Sequence, residues 1–236
     1  SIKKLLSDRD FFEILKGSGI SLGLRFLGLV IGYSLTLVIA NLFGAKGLGE
    51  YVLAITILKL FVLLAKAGLD TTSIRMIASF ASKEQWHRIY ALRKKIILVL
   101  SITSILASGL MYFLSESIAT LINIKTSYIQ LNAFFVLPMA FFMLHYQSLR
   151  GLKRIAEFSF FYRVSQAFFS IICIGIIYQF TTSSEVPIYA YLTSLSIVSF
   201  LAYISFRYWL NKLSNNNEAP EDSLMNYLTL FKVSVP

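Results

Sequence analysis

Six long apolar runs, almost free of charge, set what this chain can fold into. A hydrocarbon core of about 30 Å is crossed by roughly 20 helical residues. Runs of that order occupy residues 17–43, 51–82, 96–114, 128–149, 158–180 and 186–206. After Arg25 the first run carries no charge until Lys46. None of the runs alternates as the strands of a membrane barrel do, and an open backbone in lipid must be helical to satisfy its own hydrogen bonds. The first run is too long for a cleaved signal peptide and lacks a small-residue cleavage site. Only 14% of the 236 residues are charged and 56% are hydrophobic, whereas a soluble domain carries about 25% charged residues. That excludes an ordinary soluble globule, a disordered chain and a disulfide scaffold. The single Cys173 falls in an apolar run, where a buried, inert thiol is expected. An all-α membrane protein with six transmembrane helices is expected.

The cations set the direction of insertion. Lys3, Lys4, Arg9 and Lys16 precede the first run, and Lys83, Arg88, Arg93, Lys94 and Lys95 separate the second from the third. Arg150, Lys153 and Arg154 lie between the fourth and fifth, and Arg207, Lys212 and Lys232 follow the sixth. The opposite loops hold Lys46 and Lys125. Fifteen cations against two predict that both ends are cytoplasmic. Trp86, Tyr90, Tyr208 and Trp209 fall near that boundary, where aromatic anchors belong. The net charge of +10 therefore reads as a basic cytoplasmic face. No His/Cys ligand set, Gly-rich phosphate loop or basic-aromatic RNA motif accompanies it, so no metal, cofactor or nucleic-acid partner is expected.

Residues 1–210 read as one six-helix lobe, and 211–228 as a cytoplasmic linker containing the polar stretch NNNEAPED at 215–222. Residues 229–236 read as the start of another helix. There Leu230-Phe231-Lys232-Val233-Ser234 matches the pattern of Ile14-Leu15-Lys16-Gly17-Ser18: two apolar residues, a Lys, one residue, then Ser. Repeated halves are common in transporters. The expectation is the first lobe of a larger protein, ending as a second lobe begins.

Five cations fall inside the predicted spans, namely Arg25, Lys59, Lys66, Arg75 and Arg163, against a single acid, Asp70. Each ionised group near the bilayer centre costs about 2.5–3.5 kcal/mol on insertion scales. Arg75 and Arg163 lie near cytoplasmic helix ends and can snorkel; Arg25 and Lys59 lie about two turns inside their spans. In an unbroken helix Lys59, Lys66 and Asp70 share one face, and the i, i+4 spacing allows a Lys66–Asp70 ion pair. Such a pair still leaves an excess of about four positive charges in the spans. Either acids from outside this chain neutralise them, or a water-filled cavity receives an anion. Asn41 and His145 are further candidate cavity residues, with helix capping and interhelical hydrogen bonding as their ordinary readings. Glu157 suits a helix start. Gly19, Gly23, Gly28 and Gly32 give two G-x-x-x-G spacings suited to close helix packing, and Gly68 and Pro138 mark expected kinks.

Two segments carry a family resemblance. Phe43-Gly44-Ala45-Lys46-Gly47-Leu48-Gly49-Glu50-Tyr51 forms the turn into the second span, and Ala67-Gly68-Leu69-Asp70 with Thr71-Thr72-Ser73-Ile74-Arg75-Met76-Ile77-Ala78 lies further along it. Together they resemble the bacterial polysaccharide (O-antigen repeat-unit) flippases of the MOP/MATE-like exporter superfamily, over essentially the whole chain. The resemblance implies the N-terminal six-helix lobe of a two-lobed MATE-like transporter in the bacterial inner membrane. It implies a flippase that moves an undecaprenyl-diphosphate-linked oligosaccharide to the periplasmic leaflet by alternating access. Membrane lipids, a polysaccharide polymerase and glycosyltransferases are the partners such a pathway offers. Related flippases hold the diphosphate with cavity arginines, one of them in the first helix, and Arg25 corresponds by placement. Lys59 and Lys66 would join it, with Arg75 and Arg163 near the cytoplasmic mouth.

The alternative is an ion-coupled, MATE-like exporter of small molecules, which is expected to present carboxylates; this chain offers Asp70. An enzyme would need a large extramembrane loop or a catalytic constellation. The outer loops are short and hold only Glu50, Glu116 and Glu185 as acids, so no catalytic residue is expected.

Overall fold

Gly44 is where the first helix changes course. The computed structural model describes the backbone of residues 9–214 and the side chains of 19–214. Helix α1 (Arg9–Lys66) is continuous except at Gly44, whose φ of 71° and ψ of −179° lie outside helical space. Glycine accepts that φ without a Cβ clash, so a single residue separates two arms. The segment 43–51, read from sequence as a turn, is thus helical apart from this one kink. A second break follows at Ala67 (φ 43°) and Gly68 (φ 79°), after which α2 (Leu69–Ser82) resumes the path. This is the kink expected at Gly68.

Helix α3 (Trp86–Phe113) begins ten residues before the predicted third span. The sequence reading excluded Arg93-Lys94-Lys95 from the apolar window, but the backbone there is already helical. Two short helices follow, α4 (Ser115–Ile122) and α5 (Thr126–Ala133), the first unanticipated. Asn123 closes α4 in the left-handed conformation (φ 54°). Helix α6 (Val136–Gly151) meets α5 at a 50° bend. Pro138 sits in the first turn of α6, where its missing N–H is harmless, so the bend precedes it at Phe134–Phe135. Helix α7 (Ile155–Tyr178) contains a π turn at Phe160–Ser165, and Glu157 does occupy its first turn. Helix α8 (Val186–Ser214) runs past the predicted end of its span and takes in the first residues of the expected linker. The rest of that linker, the segment 229–236 and the side chains of the N-terminal cations lie outside the described residues.

Among the described residues the chain forms helices joined by short turns, with no strand. Four helices are long and apolar enough to cross a membrane: Gly19–Lys66 within α1, α3, α7 and α8; the bent pair α5–α6 makes five if it is one span. Many large apolar side chains are exposed, including Leu22, Phe26, Leu63, Leu106, Phe113 and Phe200. A water-facing surface would not sustain so much apolar area.

Polar contacts fix the register. Ser159 Oγ–H donates to Ser21 Oγ at 3.2 Å, Gly28 abuts the Arg163 backbone, and Phe43 meets Tyr178 edge-on at 5.8 Å. The first arm of α1 therefore runs parallel to α7. Tyr128 OH donates to Glu50 at 3.3 Å, and Asn132 Nδ2–H to the Ala54 carbonyl at 2.9 Å. Ser73 and Ser148 pair at 3.2 Å, and Gly151 lies against Ile77. The second arm and α2 thus run parallel to α5–α6. Helix α3 is antiparallel to the α5–α6 pair, through Arg93–His145 and Ser108–Ala133, and to α8, through Tyr90–Asn211 and Arg93–Phe206. The core lies between these helices, on Leu58, Leu92, Ile96, Leu149, Leu195 and Phe206. Trp86, expected as an interfacial anchor, is buried in that core, while Tyr90 and Tyr208 are exposed.

The four glycines of the first arm differ. An added Cβ at Gly28 would sit 2.8 Å from the Arg163 carbonyl oxygen, whereas Gly19, Gly23 and Gly32 have nothing within 4 Å. Of these four glycines, only Gly28 is closely packed. Gly28→Leu should lower the melting temperature of the detergent-solubilised protein, by an overpacking penalty of about 1–3 kcal/mol, while Gly23→Leu leaves it unchanged. At the opposite end, Lys125 Nζ–H donates to Glu185 at 2.8 Å. That hydrogen bond holds the Glu185 carboxyl below its ordinary 4.5. An acid with a depressed folded value adds stability above pH 4.5 that is lost as the pH falls through the lower value. The pair is exposed, so the contribution is small; Glu185→Gln should flatten the acid limb of a stability-versus-pH curve and leave neutral stability nearly unchanged.

Candidate functional site

The break between α1 and α2 brings Asp70 to a base, Lys66. Lys66 closes α1 and Asp70 opens α2, so each sits at the helix end whose dipole favours its charge. Lys66 Nζ–H donates to Asp70 Oδ2 at 2.8 Å, with 13% and 15% of the two side chains exposed. The Thr71 amide donates to Asp70 Oδ1 at 3.0 Å. The pair forms across two left-handed residues and not along an unbroken helix face; Lys59, seven residues before Lys66 in the same continuous arm, is exposed. Lys66 and Asp70 are spent on each other.

Beside the pair is an aromatic group. Tyr146 on α6 lies close enough to feel the Asp70 charge, and its ring meets Phe158 and Tyr162 of α7 at 6.0 and 5.6 Å. Phe158 and Tyr162 stack at 5.5 Å with 9° between their planes. Arg163 follows in the π turn, exposed, its guanidinium 5.2 Å from the Tyr162 ring centre. The Gly28 contact puts Arg163 level with the first arm. Arg25 lies between Ser21 and Gly28, which touch Ser159 and Arg163 in turn. Arg25 and Arg163 thus occupy about the same depth on adjacent parallel helices, and both are exposed. Arg75 is exposed further along α2, and Asn41 is exposed one turn before the Gly44 kink. Among the described residues Arg25, Lys59 and Arg75 have no ion pair or hydrogen-bond partner.

His145 stands apart from this group. It is buried among α3, α6 and α8; its Nδ1–H donates to the Phe141 carbonyl, and its Nε2 accepts from Arg93 Nη2 at 3.2 Å. That is the interhelical role its position suggested, and it assigns the neutral Nδ1–H tautomer, since an imidazolium would have no acceptor to offer Arg93. Arg93 is the internal cation the sequence reading missed, having been counted with the loop. Ile89, Leu92 and Ile96 are all buried; continuing that helical period back through Arg93 would have placed it at the edge of a packed face.

No group of three or more His, Cys, Asp or Glu suited to a metal occurs among the described residues. Compared with protein families, curated proteins and solved structures, the chain matches none.

The Lys66–Asp70 pair yields a direct test. Removing one partner of a largely buried ion pair leaves an uncompensated charge costing about 3–5 kcal/mol, whereas replacing both by apolar residues is often near neutral. Asp70→Leu should therefore lower the melting temperature markedly, and Lys66→Leu/Asp70→Leu should recover most of the loss.

Proposed function

We propose that the chain is a six-pass lobe of a bacterial inner-membrane flippase for undecaprenyl-diphosphate-linked oligosaccharides. In this reading each arm of α1 is a span, the second continued by α2. With α3, α5–α6, α7 and α8 they make six passes, alternating in direction as the register requires. Lys83, Arg88, Lys94, Arg150, Lys153, Arg154, Arg207 and Lys212 gather at one end, against Lys46 and Lys125 at the other. The basic end is then cytoplasmic.

The observation that carries the proposal is the pair Arg25 and Arg163: exposed, at about the same depth on parallel helices, with Asp70 already bound to Lys66 and neither arginine in an ion pair among the described residues. Unpaired guanidiniums at such depth are costly without a counter-charge, and a diphosphate supplies one. Guanidinium forks suit phosphoryl oxygens, and the Tyr146–Phe158–Tyr162 faces beside them suit sugar or prenyl surface. Lys59, about 10 Å along the second arm from Lys66, would receive the headgroup later in its passage, and Arg75 would lie towards the cytoplasmic mouth. A MATE-like cation exporter would rely on a free carboxylate, and Asp70 is not free.

Arg25→Ala in the full protein, expressed in a strain lacking the native gene, should reduce surface polysaccharide at least tenfold at unchanged membrane abundance, with Arg25→Lys intermediate. Normal polysaccharide in Arg25→Ala would remove Arg25 from the mechanism. Substrate-dependent efflux of small cations without a polysaccharide defect would favour the exporter.

A further inference from the structure

Two guanidiniums converge on Tyr203 without an acid to balance them. Arg93 lies over the rings of Tyr203 and Phe206, 5.2 and 4.5 Å from their centres. From the other side Arg207 Nη1–H donates to Tyr203 OH at 3.1 Å. Arg207 is near enough to Arg93 to repel it, and neither reaches a carboxylate among the described residues. Neutral His145 absorbs one N–H of Arg93 and none of the charge. Like charges held side by side at a membrane depth call for an anion.

What adjoins them indicates which anion. Between α3, α6 and α8 lies a cavity of about 410 Å³, walled mainly by Ile97, Leu137, Phe141 and Phe200. His145 and Tyr203 line it too, so the residues that hold the two arginines also form the cavity's polar rim. Arg93 lies two turns into α3, about 10 Å from its start, and long cationic side chains near helix ends reach towards lipid headgroups. An inorganic anion has no use for an apolar cavity of this size, and a neutral lipid has none for the paired charge. Basic pockets between helices near the cytoplasmic side are suited to anionic headgroups.

We infer that α3, α6 and α8 form a binding site for an anionic glycerophospholipid, its phosphate between Arg93 and Arg207 and one acyl chain in the adjoining cavity. The site uses none of Arg25, Lys59, Lys66, Arg75 and Arg163, so it stands or falls independently of the transport reading.

The test is native mass spectrometry of the full protein in detergent, titrated with phosphatidylglycerol, with phosphatidylcholine of the same acyl chains, and with inorganic phosphate. Phosphatidylglycerol should be retained at least tenfold more tightly than phosphatidylcholine. Arg207→Gln, which alters an exposed residue, should weaken phosphatidylglycerol at least fivefold and leave phosphatidylcholine unchanged. Ser196→Trp, which fills the cavity from its wall, should weaken both. Arg93→Lys keeps a charge while removing the planar fork, and should give an intermediate loss if the fold tolerates it. Equal retention of the two lipids, or no effect of Arg207→Gln, would overturn the inference. So would displacement of the lipid by millimolar phosphate, or a doubled mass with no lipid bound.

Discussion

In hydrocarbon a backbone amide has no water to turn to, so a chain can change direction only where a residue tolerates the lost helical bond or a neighbour replaces it. This constraint shapes the whole molecule. Its breaks fall at Gly44, at Ala67–Gly68 and at Phe134–Phe135, and the π turn of α7 widens the helix without ending it. Between breaks, the helices are joined by close apolar packing and by short polar contacts, since lipid competes equally well for apolar surface that is merely covered. Asn132 to Ala54, Ser73 to Ser148, Ser170 to Ser194 and Gln166 to Ser194 are such joints. Each is small, and together they hold neighbouring helices at one setting.

The same scarcity of solvent governs the charges. Where a base meets an acid, the helix ends are arranged to support both, as at Lys66 and Asp70. Where no acid is at hand, guanidiniums rest on aromatic faces: Arg93 on Tyr203 and Phe206, Arg163 on Tyr162, Arg154 on Trp209 at 3.3 Å. Ring quadrupoles offset only part of a cation's desolvation. The residue of uncancelled charge is divided between two regions, one on α1, α2 and α7 and the other on α3, α6 and α8.

The helical class was legible because apolar length is a local property of sequence, and four to five of the six apolar runs are matched by helices long enough to cross a membrane. The kink at Gly68 and the helix-start role of Glu157 were legible too, since each is set by its own few residues. The rest depended on what distant residues do to one another. Nothing in the residues around Phe160–Ser165 announces a π turn, and the approach of Gly28 to the Arg163 backbone within it joins residues far apart in sequence. Helix α3 extends ten residues before the apolar stretch read as its span, because a helix does not end where its apolar stretch does. Arg93 was then misplaced with the loop, and its pairing with His145 across 52 residues could not be seen. The glycine spacing of the first arm suggested packing throughout, but only Gly28 faces a neighbour.

The π turn of α7 has one further consequence. A π turn accommodates one residue more than the α-helical path it replaces, so everything after Ser165 is rotated by about 100° relative to an uninterrupted helix. Gln166 and Ser170, which meet Ser194, both lie beyond that added residue. The chain at 160–165 therefore acts as a phase setting: losing one residue there would keep the helix but swing its distal half off its partner, whereas exchanging one side chain for another leaves the count, and the alignment, intact.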